Sequence, residues 1–256
     1  MKITFLGTGT SQGVPVIGCQ CPVCQSTNPL DNRLRVSSWI EIGGKSLIID
    51  MTPDFRYQML RARVPRIDAV LITHEHRDHI GGLDDIRPYN FRQEQSINIY
   101  AQQRVCDEIV QAYQYIFKKS DYPGIPQLNL VPIAENLPFS LFDNQITIQP
   151  IPVMHGKLPI LGYRIGDFAY LTDVKTIPEA SFELLKGLKV LVTSALHQIE
   201  HHSHATLDEA IEIAQRINAK QTYFIHMSHY MGLHPEVSRQ LPANIQFAYD
   251  MLSIEI

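Results

Sequence analysis

The segment Thr73–Gly82, THEHRDHIGG, concentrates side chains that bind metal ions. Four candidate ligands fall within six residues: the imidazoles of His74, His76 and His79 and the carboxylate of Asp78. Imidazole and carboxylate ligands together suit zinc, manganese, iron or nickel. Side chains alternate along an extended chain, so the first two histidines point the same way and the other two ligands face a second ion. A polar surface loop that is merely rich in histidine is the alternative.

Further candidate ligands follow apolar segments that we predict to be strands. His155, Asp173 and His226 each come one or two residues after such a segment. The histidine segment itself follows Ala69–Ile72, which reads as a buried strand. All of these candidates are therefore expected at strand ends, although a lone histidine or aspartate there usually has an ordinary polar role.

A group of cysteines predicts a different metal site. Cys19, Cys21 and Cys24 place three thiols in six residues, and no two of them can both form a disulfide with Cys106, the only other cysteine. Close thiols are typical of a zinc site, which needs a fourth ligand, and His229 is the best candidate. We expect one structural zinc here, with a redox-active or merely buried cysteine group as the alternative. Cys106 is expected in the core.

The pattern HxHxDH followed by Gly-Gly resembles the signature of the metallo-β-lactamase superfamily. The resemblance implies an α/β fold, a four-layer αβ/βα sandwich, with two catalytic divalent ions, zinc or manganese. It implies these ligands: His74, His76 and His155 for one ion, Asp78, His79 and His226 for the other, and Asp173 as the bridge between them.

The cysteine loop after Gly-Thr-Gly, and the Ser-His pair after His226, narrow this resemblance. They look like the PhnP-like branch, the phosphoribosyl 1,2-cyclic phosphate phosphodiesterases. The expected function is therefore hydrolysis of a small phosphate diester, cyclic esters included. The resemblance implies a catalytic role for His204, which we expect to be a general acid or a phosphate contact beside the catalytic ligand Asp78. Three other histidines compete for the role of His204: His197, His201 and His202.

Two other branches of the superfamily provide rival functions. A tRNA 3′-processing endoribonuclease shares the HxHxDH chemistry, but such enzymes resemble one another in a flexible basic arm, and no such insertion is visible here. PqqB-type proteins share the cysteine loop and match less of the catalytic set. That resemblance would make the chain a non-hydrolytic, metal-stabilised binding or carrier protein.

Two charged residues near the predicted ligands could assist the site without binding an ion. Asp50 comes at another predicted strand end, where it could orient a metal-binding histidine. Lys157, shortly after His155, could neutralise a substrate phosphate, although a lone lysine is usually just solvated.

Alternating strands and helices must position these groups. Strand clusters in each half, with helices outside them, favour the sandwich. Residues 120–136, rich in Pro, Gly and Asn, predict a surface excursion near the site entrance. The expected strands are 2–6, 38–42, 46–50, 69–72, 97–100, 145–153, 162–165, 169–171, 190–193 and 222–225, and the expected helices are 54–63, 102–117 and 207–217.

Length and charge limit the class of protein. The 256 residues, 45% of them hydrophobic, can bury the core of one domain, which we expect to span residues 1–256. Acidic residues outnumber basic ones 26 to 22, which makes nucleic acid an unfavoured partner and a small molecule the expected one. No stretch approaches the roughly 20 apolar residues of a membrane span. The thiols favour a reducing compartment, so we expect the cytoplasm. A homodimer is common among similar proteins, and the sequence does not locate a contact face.

Overall fold

A computed structural model of the chain describes residues 1–118, 122 and 124–256. Its strands form two sheets, each of seven strands within the described residues. Along the chain the strands are β1 (Lys2–Gly7), β2 (Ser37–Ile42), β3 (Lys45–Ile49), β4 (Ala69–Leu71), β5 (Ile97–Ala101), β6 (Leu128–Pro132), β7 (Phe139–Leu141), β8 (Ile146–His155), β9 (Leu158–Ile165), β10 (Phe168–Tyr170), β11 (Val190–Ser194), β12 (Gln221–Ile225), β13 (Ile245–Phe247) and β14 (Ser253–Glu255).

Helices cover the outer faces of both sheets. None of those in the described part of the chain combines the length and the hydropathy that a membrane span requires. The α-helices are α1 (Phe55–Ala62), α2 (Arg77–Ile80), α3 (Arg87–Gln93), α4 (Gln103–Ala112), α5 (Gln114–Phe117), α6 (Glu179–Leu184), α7 (Leu207–Ile217) and α8 (His234–Val237), and short 3₁₀ helices span Pro29–Asp31, Leu83–Ile86, His229–Met231 and Ser238–Gln240.

The two sheets run β14-β1-β2-β3-β4-β5-β6 and β13-β12-β11-β10-β9-β8-β7. Strands β3 to β6 are parallel to one another, and so are β10 to β13. Carboxyl ends of parallel strands meet at one edge of a sheet, which is where α/β proteins place their binding sites. The segments that follow β4, β10 and β12 therefore lie at such edges.

Three apolar clusters show that the molecule has four layers. Residues such as Phe5, Leu71 and Tyr163 pack between the two sheets. A second cluster lies between the first sheet and its helices, and a third between the second sheet and its helices. This α/β/β/α order confirms the predicted sandwich.

The strand ends at the site are also tied together across the sandwich. Tyr163 donates its hydroxyl to the carbonyl of Ile72 at 2.6 Å, and the amide of Leu161 donates to the carbonyl of Thr73 at 3.2 Å. Both bonds run from β9 of the second sheet to the chain just after β4 of the first. They fix the start of the histidine segment relative to the other half.

Two sequence predictions need correction. The predicted helix over 102–117 is interrupted at Tyr113, where α4 ends and α5 follows. Part of the predicted surface excursion is β6, which pairs in parallel with β5. Residues 119, 120, 121 and 123, some of which belong to that prediction, lie outside the described residues.

Candidate active site

The first group of predicted metal ligands lies where two strands end. His74 and His76 follow β4, and His155 is the last residue of β8. One ring nitrogen of each lies within 4.8 Å of the other two. His74 is fully buried and His76 is exposed, so the group reaches from the interior to the surface. The structure thus brings together the three imidazoles that the resemblance implies for one ion.

The second group adjoins the first. Asp78 and His79 lie in α2, Asp173 follows β10, and His226 follows β12. One nitrogen or oxygen of each lies within 4.8 Å of the others. Oδ1 of Asp173 is 3.3 Å from Nε2 of His226, and its Oδ2 is 4.0 Å from Nε2 of His74 in the first group. Asp173 therefore has the position of a carboxylate that two ions could share.

Three site residues adopt a backbone conformation that L-residues seldom use. Asp50, Asp173 and His226 have φ values of 62°, 56° and 62°. Each comes within three residues of the end of a strand, β3, β10 or β12. Left-handed backbone at non-glycine residues costs on the order of 1–3 kcal/mol each and concentrates at functional sites. Here it turns the chain so that the side chains converge at the edge of the sandwich.

Asp50 orients the buried imidazole of His79. Its Oδ2 lies 2.7 Å from Nδ1 of His79, and its Oδ1 accepts a 2.8 Å hydrogen bond from the amide of Thr73. Burial raises the pKa of Asp50, although His79 opposes that shift. The carboxylate accepts a hydrogen bond from the Nδ1–H group and leaves Nε2 of His79 directed at the ligand cluster. The orienting contact expected of Asp50 is therefore present.

The chemistry of this cluster fits a bound cation. Nε2 of His79 and Nε2 of His226 are buried and form no hydrogen bond with any described residue. A carboxylate oxygen of Asp78 lies 3.3 Å from Nε2 of His79, and a carboxylate oxygen of Asp173 lies 3.4 Å from the same nitrogen. Burial opposes a charge on His79, but Asp78, Asp173 and Asp50 raise its pKa well above the usual range. The carboxylates therefore need a positive charge, which a divalent ion would supply in place of the proton.

The structure also brings together the four residues predicted for the cysteine site. Nδ1 of His229 lies 3.3, 3.3 and 3.5 Å from the sulfurs of Cys19, Cys21 and Cys24. Burial disfavours a thiolate at Cys21, but hydrogen bonds from the amide of Cys24 and from His229 lower its pKa to about 6. Three sulfurs and one nitrogen are the donor set of closed zinc sites. Cys106 is buried in the core, away from this set.

His204 lies against both ligand groups. Its Nδ1 is 3.9 Å from Oδ2 of Asp173, and its ring centroid is 4.4 Å from that of His155 and 5.0 Å from that of His226. Burial and the neighbouring His226 lower the pKa of His204 to about 2. The ring is therefore neutral here and can donate a single N–H.

The three competing histidines lie farther out in the same loop. The ring of His201 is 5.1 Å from that of His204. His197 accepts a hydrogen bond from the amide of Ile199, and His202 is exposed. None of these three belongs to a ligand cluster found among the described residues.

The comparison with known families decides the classification. A model described as the beta-lactamase superfamily domain matches residues 45–227. The chain belongs to the metallo-β-lactamase superfamily. This membership confirms the resemblance drawn from HxHxDH and accounts for the four-layer architecture.

Relatives within the superfamily carry different names. A protein of Porphyromonas gingivalis (strain ATCC BAA-308 / W83) named octanoyltransferase is 44% identical over 254 residues, 98% of this chain and 51% of that protein. The chain thus spans about half the length of the curated relatives it matches.

The crystal structure of a new diphosphatase from the PhnP family is 43% identical, with a TM-score of 0.92 over 100% of this chain and 97% of the other. Zn²⁺-bound PqqB from Methylobacterium extorquens, at 17% identity and a TM-score of 0.80 over both full chains, shares the fold. The superfamily and the diphosphatase support the predicted class, a metal-dependent hydrolase.

In this member of the superfamily, a cleft of about 610 Å³ opens beside the first ligand group. The sequence prediction singled out Lys157 as a phosphate contact, and the structure places it in the cleft wall. The sequence prediction did not single out Lys175, although its position two residues after Asp173 could have indicated that it lies near the site. The wall consists of His76, His155, Gly156, Lys157, Leu158, Lys175, His202 and Ser203.

Proposed function

We propose that this chain is a metal-dependent phosphodiesterase that hydrolyses small phosphate diesters, cyclic esters among them. The convergence of seven nitrogen and carboxylate ligands around unpartnered buried imidazole nitrogens supports the proposal. Likeness to a PhnP-family diphosphatase over the whole chain also favours phosphoryl chemistry.

The proposed site holds two divalent ions, zinc or manganese. Such ions would supply an activated water and offset the negative charge that develops on phosphoryl oxygens. His79 is held in one tautomer by Asp50, so its Nε2 stays available as a ligand. We assign the ligands as His74, His76 and His155 for one ion, Asp78, His79 and His226 for the other, and Asp173 for both.

His204 is the proposed substrate contact. Its ring lies between those of His155 and His226 at the surface of the cluster, where a phosphoryl oxygen or a leaving group would meet it. A neutral imidazole can donate its N–H to such an oxygen without adding charge to the site. Asp78 is proposed to bind an ion and also to lie beside the phosphoryl group that reacts.

We further propose a structural zinc at Cys19, Cys21, Cys24 and His229, and a cytoplasmic location, where such thiols stay reduced. Residues 1–256 would form one functional unit. About half of the named octanoyltransferase lies beyond the matched stretch, and we assign no acyl transfer to this chain.

Metal analysis and a diester assay test the proposal together. Purified protein is expected to contain about three transition-metal ions per chain and to cleave bis(4-nitrophenyl) phosphate. A screen of cyclic phosphates, linear diesters, tRNA precursors and thioesters then defines the substrate. A content near one ion, with no turnover after reloading with zinc or manganese, would support the PqqB-like binding role instead.

A further inference from the structure

A second cavity, of about 560 Å³, lies in the helical layer outside the first sheet. None of its lining residues belongs to a predicted ligand group, and the proposed hydrolysis gives it no role. Its floor is apolar, because Phe55, Met59, Val64 and Tyr89 are buried. Small-molecule sites usually have volumes of roughly 300–1,000 Å³ and apolar walls with a few placed polar groups. The cavity therefore has the size and the floor of a ligand site.

One wall of this cavity is a single face of α1 and of the residue that ends it. Arg56, Met59, Leu60 and Arg63 have the spacing i, i+3, i+4 and i+7, which aligns side chains along one side of a helix. Leu60 is 58% exposed, so apolar surface of this wall is open to a ligand. At the rise of an α-helix, the wall is an apolar strip roughly 10 Å long with an arginine at each end.

The facing wall comes from the 3₁₀ turn Leu83–Ile86 and from α3. Asp85, Pro88, Tyr89 and Arg92 line it with the same spacing of i, i+3, i+4 and i+7. It is therefore a second strip of similar length, with a carboxylate at its start and a guanidinium group at its end.

Two contacts show how the strips are aligned. At the start of α1, Phe55 lies so close to Gly82 that a Cβ added to the glycine would come within 2.5 Å of the Phe55 Cβ. Beyond the end of α1, the carbonyl of Val64 accepts a 3.0 Å hydrogen bond from the hydroxyl of Tyr89. The start of one strip thus faces the start of the other, and the ends face each other as well.

This alignment separates charge along the cavity. Arg56 and Asp85 lie at the first end, where their charges balance, and Asp85 is the only carboxylate among the lining residues that the structure describes. Arg63 and Arg92 lie at the second end. Arg92 is close to the Tyr89 hydroxyl, since it opposes the burial that raises the pKa of Tyr89 to about 12. The second end is therefore cationic.

The two arginines of the cationic end lack an acidic partner. Arg66, only three residues after Arg63, pairs with Asp68. By contrast, the side chains of Arg63 and Arg92 form no ion pair or hydrogen bond with any residue in the described segments. Guanidinium groups bind carboxylates through paired N–H donors, and such charge-assisted bonds are stronger than neutral ones. The fold thus leaves two such donors free at one end of an apolar strip.

We propose that this cavity binds a medium-chain alkyl carboxylate. The carboxylate lies between Arg63 and Arg92, and the chain runs along Leu60 and Pro88 towards the end where charge is balanced. A linear chain fits because the strips are straight and the unpaired cations lie at one end only. Each methylene group removed from water at the strip adds affinity, and the arginines select the anion.

Three probes separate the contribution of the charge from that of the chain. Isothermal titration of the metal-loaded protein compares nonanoate with 1-nonanol, which has the chain without the charge, and with acetate, which has the charge without the chain. Nonanoate is expected to bind about 10-fold or more tightly than either, the gain expected from charge-assisted contacts or from several buried methylene groups. The titration measures binding alone, so its result does not depend on whether the chain hydrolyses diesters.

Arginine variants locate the carboxylate. Arg63→Gln and Arg92→Gln should each weaken nonanoate binding several-fold, and the double variant about 10-fold or more, while binding of 1-nonanol stays unchanged. Arg66→Gln is the matched control, because Arg66 is an exposed arginine of the same segment that does not line this cavity. Thermal unfolding verifies that each variant is folded.

Several results would overturn this site. Equal affinity for nonanoate and 1-nonanol would remove the role of the arginines, and an equal loss in Arg66→Gln would indicate general electrostatics. Nonanoate binding that survives in the folded double variant but is lost in His76→Ala would place the carboxylate on the catalytic ions. Absence of nonanoate binding, with a change of oligomeric state in the double variant during sedimentation, would assign the cavity to a second copy of the chain.

Discussion

His79 illustrates how a buried imidazole is prepared for a cation. Asp50 fixes its Nδ1, so Nε2 faces the carboxylates of Asp78 and Asp173 at 3.3 and 3.4 Å. Without an ion, those carboxylates hold a proton on the ring. Metal binding must displace that proton, since only the neutral ring is a ligand. Metal uptake at this residue is therefore coupled to proton release.

Replacing His76 separates the ligand role from a role in folding. His76 is exposed, so His76→Ala should leave the melting temperature nearly unchanged while lowering kcat/KM for bis(4-nitrophenyl) phosphate by about 10³-fold or more, the loss of several kcal/mol of metal-assisted stabilisation. Steady-state kinetics and circular dichroism measure the two effects. Glu75→Gln is the matched control, because Glu75 directly precedes His76 in the same segment but contacts Arg104 instead of the ligand groups. Comparable losses in both variants would contradict the assignment.

His204 needs a different test, because its ring lies close enough to His155 and Asp173 to be a ligand itself. As a substrate contact, His204→Ala should lower kcat about 100-fold or more and leave the metal content unchanged. Elemental analysis beside the kinetics separates the two roles. Loss of an ion together with activity would make His204 a ligand.

At the scale of single residues, the sequence predicted those site residues that share one segment or directly follow a strand. His74, His76, Asp78 and His79 were recognised because their spacing alone predicts convergence. Lys175 was not, because its position depends on Glu209, 34 residues later in the chain. Only the packing of α7 against the strand ends makes the pair, and no local pattern encodes that packing.

Elements with a strong local signal were predicted best. Helix α7 spans Leu207–Ile217 as expected, because Thr206 and Glu209 form a capping box at its start. The helix predicted over 102–117 breaks at Tyr113, whose buried ring donates its hydroxyl to the carbonyl of Ile80 at 2.7 Å. The helical spacing of apolar residues in the sequence gives no sign of that tertiary hydrogen bond. Strand β14 was missed for a similar reason, since its three residues are defined by pairing with β1.

The cysteine loop is the element whose stability should depend most on a metal. Cys21→Ser should release about one zinc ion per chain and lower the melting temperature by roughly 10 °C or more, because a structural site contributes directly to folding. Zinc analysis and calorimetry measure both effects. The catalytic ions and the diesterase activity of the folded fraction should persist.

Cys106→Ala is the control for that experiment. Cys106 is buried in the core of the first half and lies outside the cysteine cluster, so its replacement should leave the zinc content unchanged. If Cys21→Ser instead behaved like His76→Ala, with activity lost and stability retained, the division into structural and catalytic metals would be wrong.

At the scale of the whole molecule, a polar network with a buried arginine joins distant parts of the chain. The buried guanidinium of Arg33 donates to the hydroxyl of Thr8 and to the carbonyl of Ala248, both at 2.8 Å. It also lies 2.9 Å from Nδ1 of His234, whose amide donates to Asp31 at 2.7 Å. These contacts fix the segment after the cysteine loop to the chain beyond His229. They therefore tie the cysteine cluster and its partner His229 to both sheets.

This network should make stability depend on pH through His234. Burial and the adjacent Arg33 lower the pKa of His234 to about 4, because protonation would remove the acceptor at Nδ1 and place two cations together. The unfolded chain, with a pKa near 6.5, binds the proton more readily. The stabilising contribution is therefore complete above about pH 6.5 and is lost progressively as the pH falls towards about 4. His234→Asn keeps an acceptor for Arg33 but does not titrate, and the metal ligands are common to both proteins. Denaturant unfolding at pH 8 and pH 5 should show the wild type losing more free energy of unfolding than the variant, and an equal loss in the two proteins would refute this role of His234.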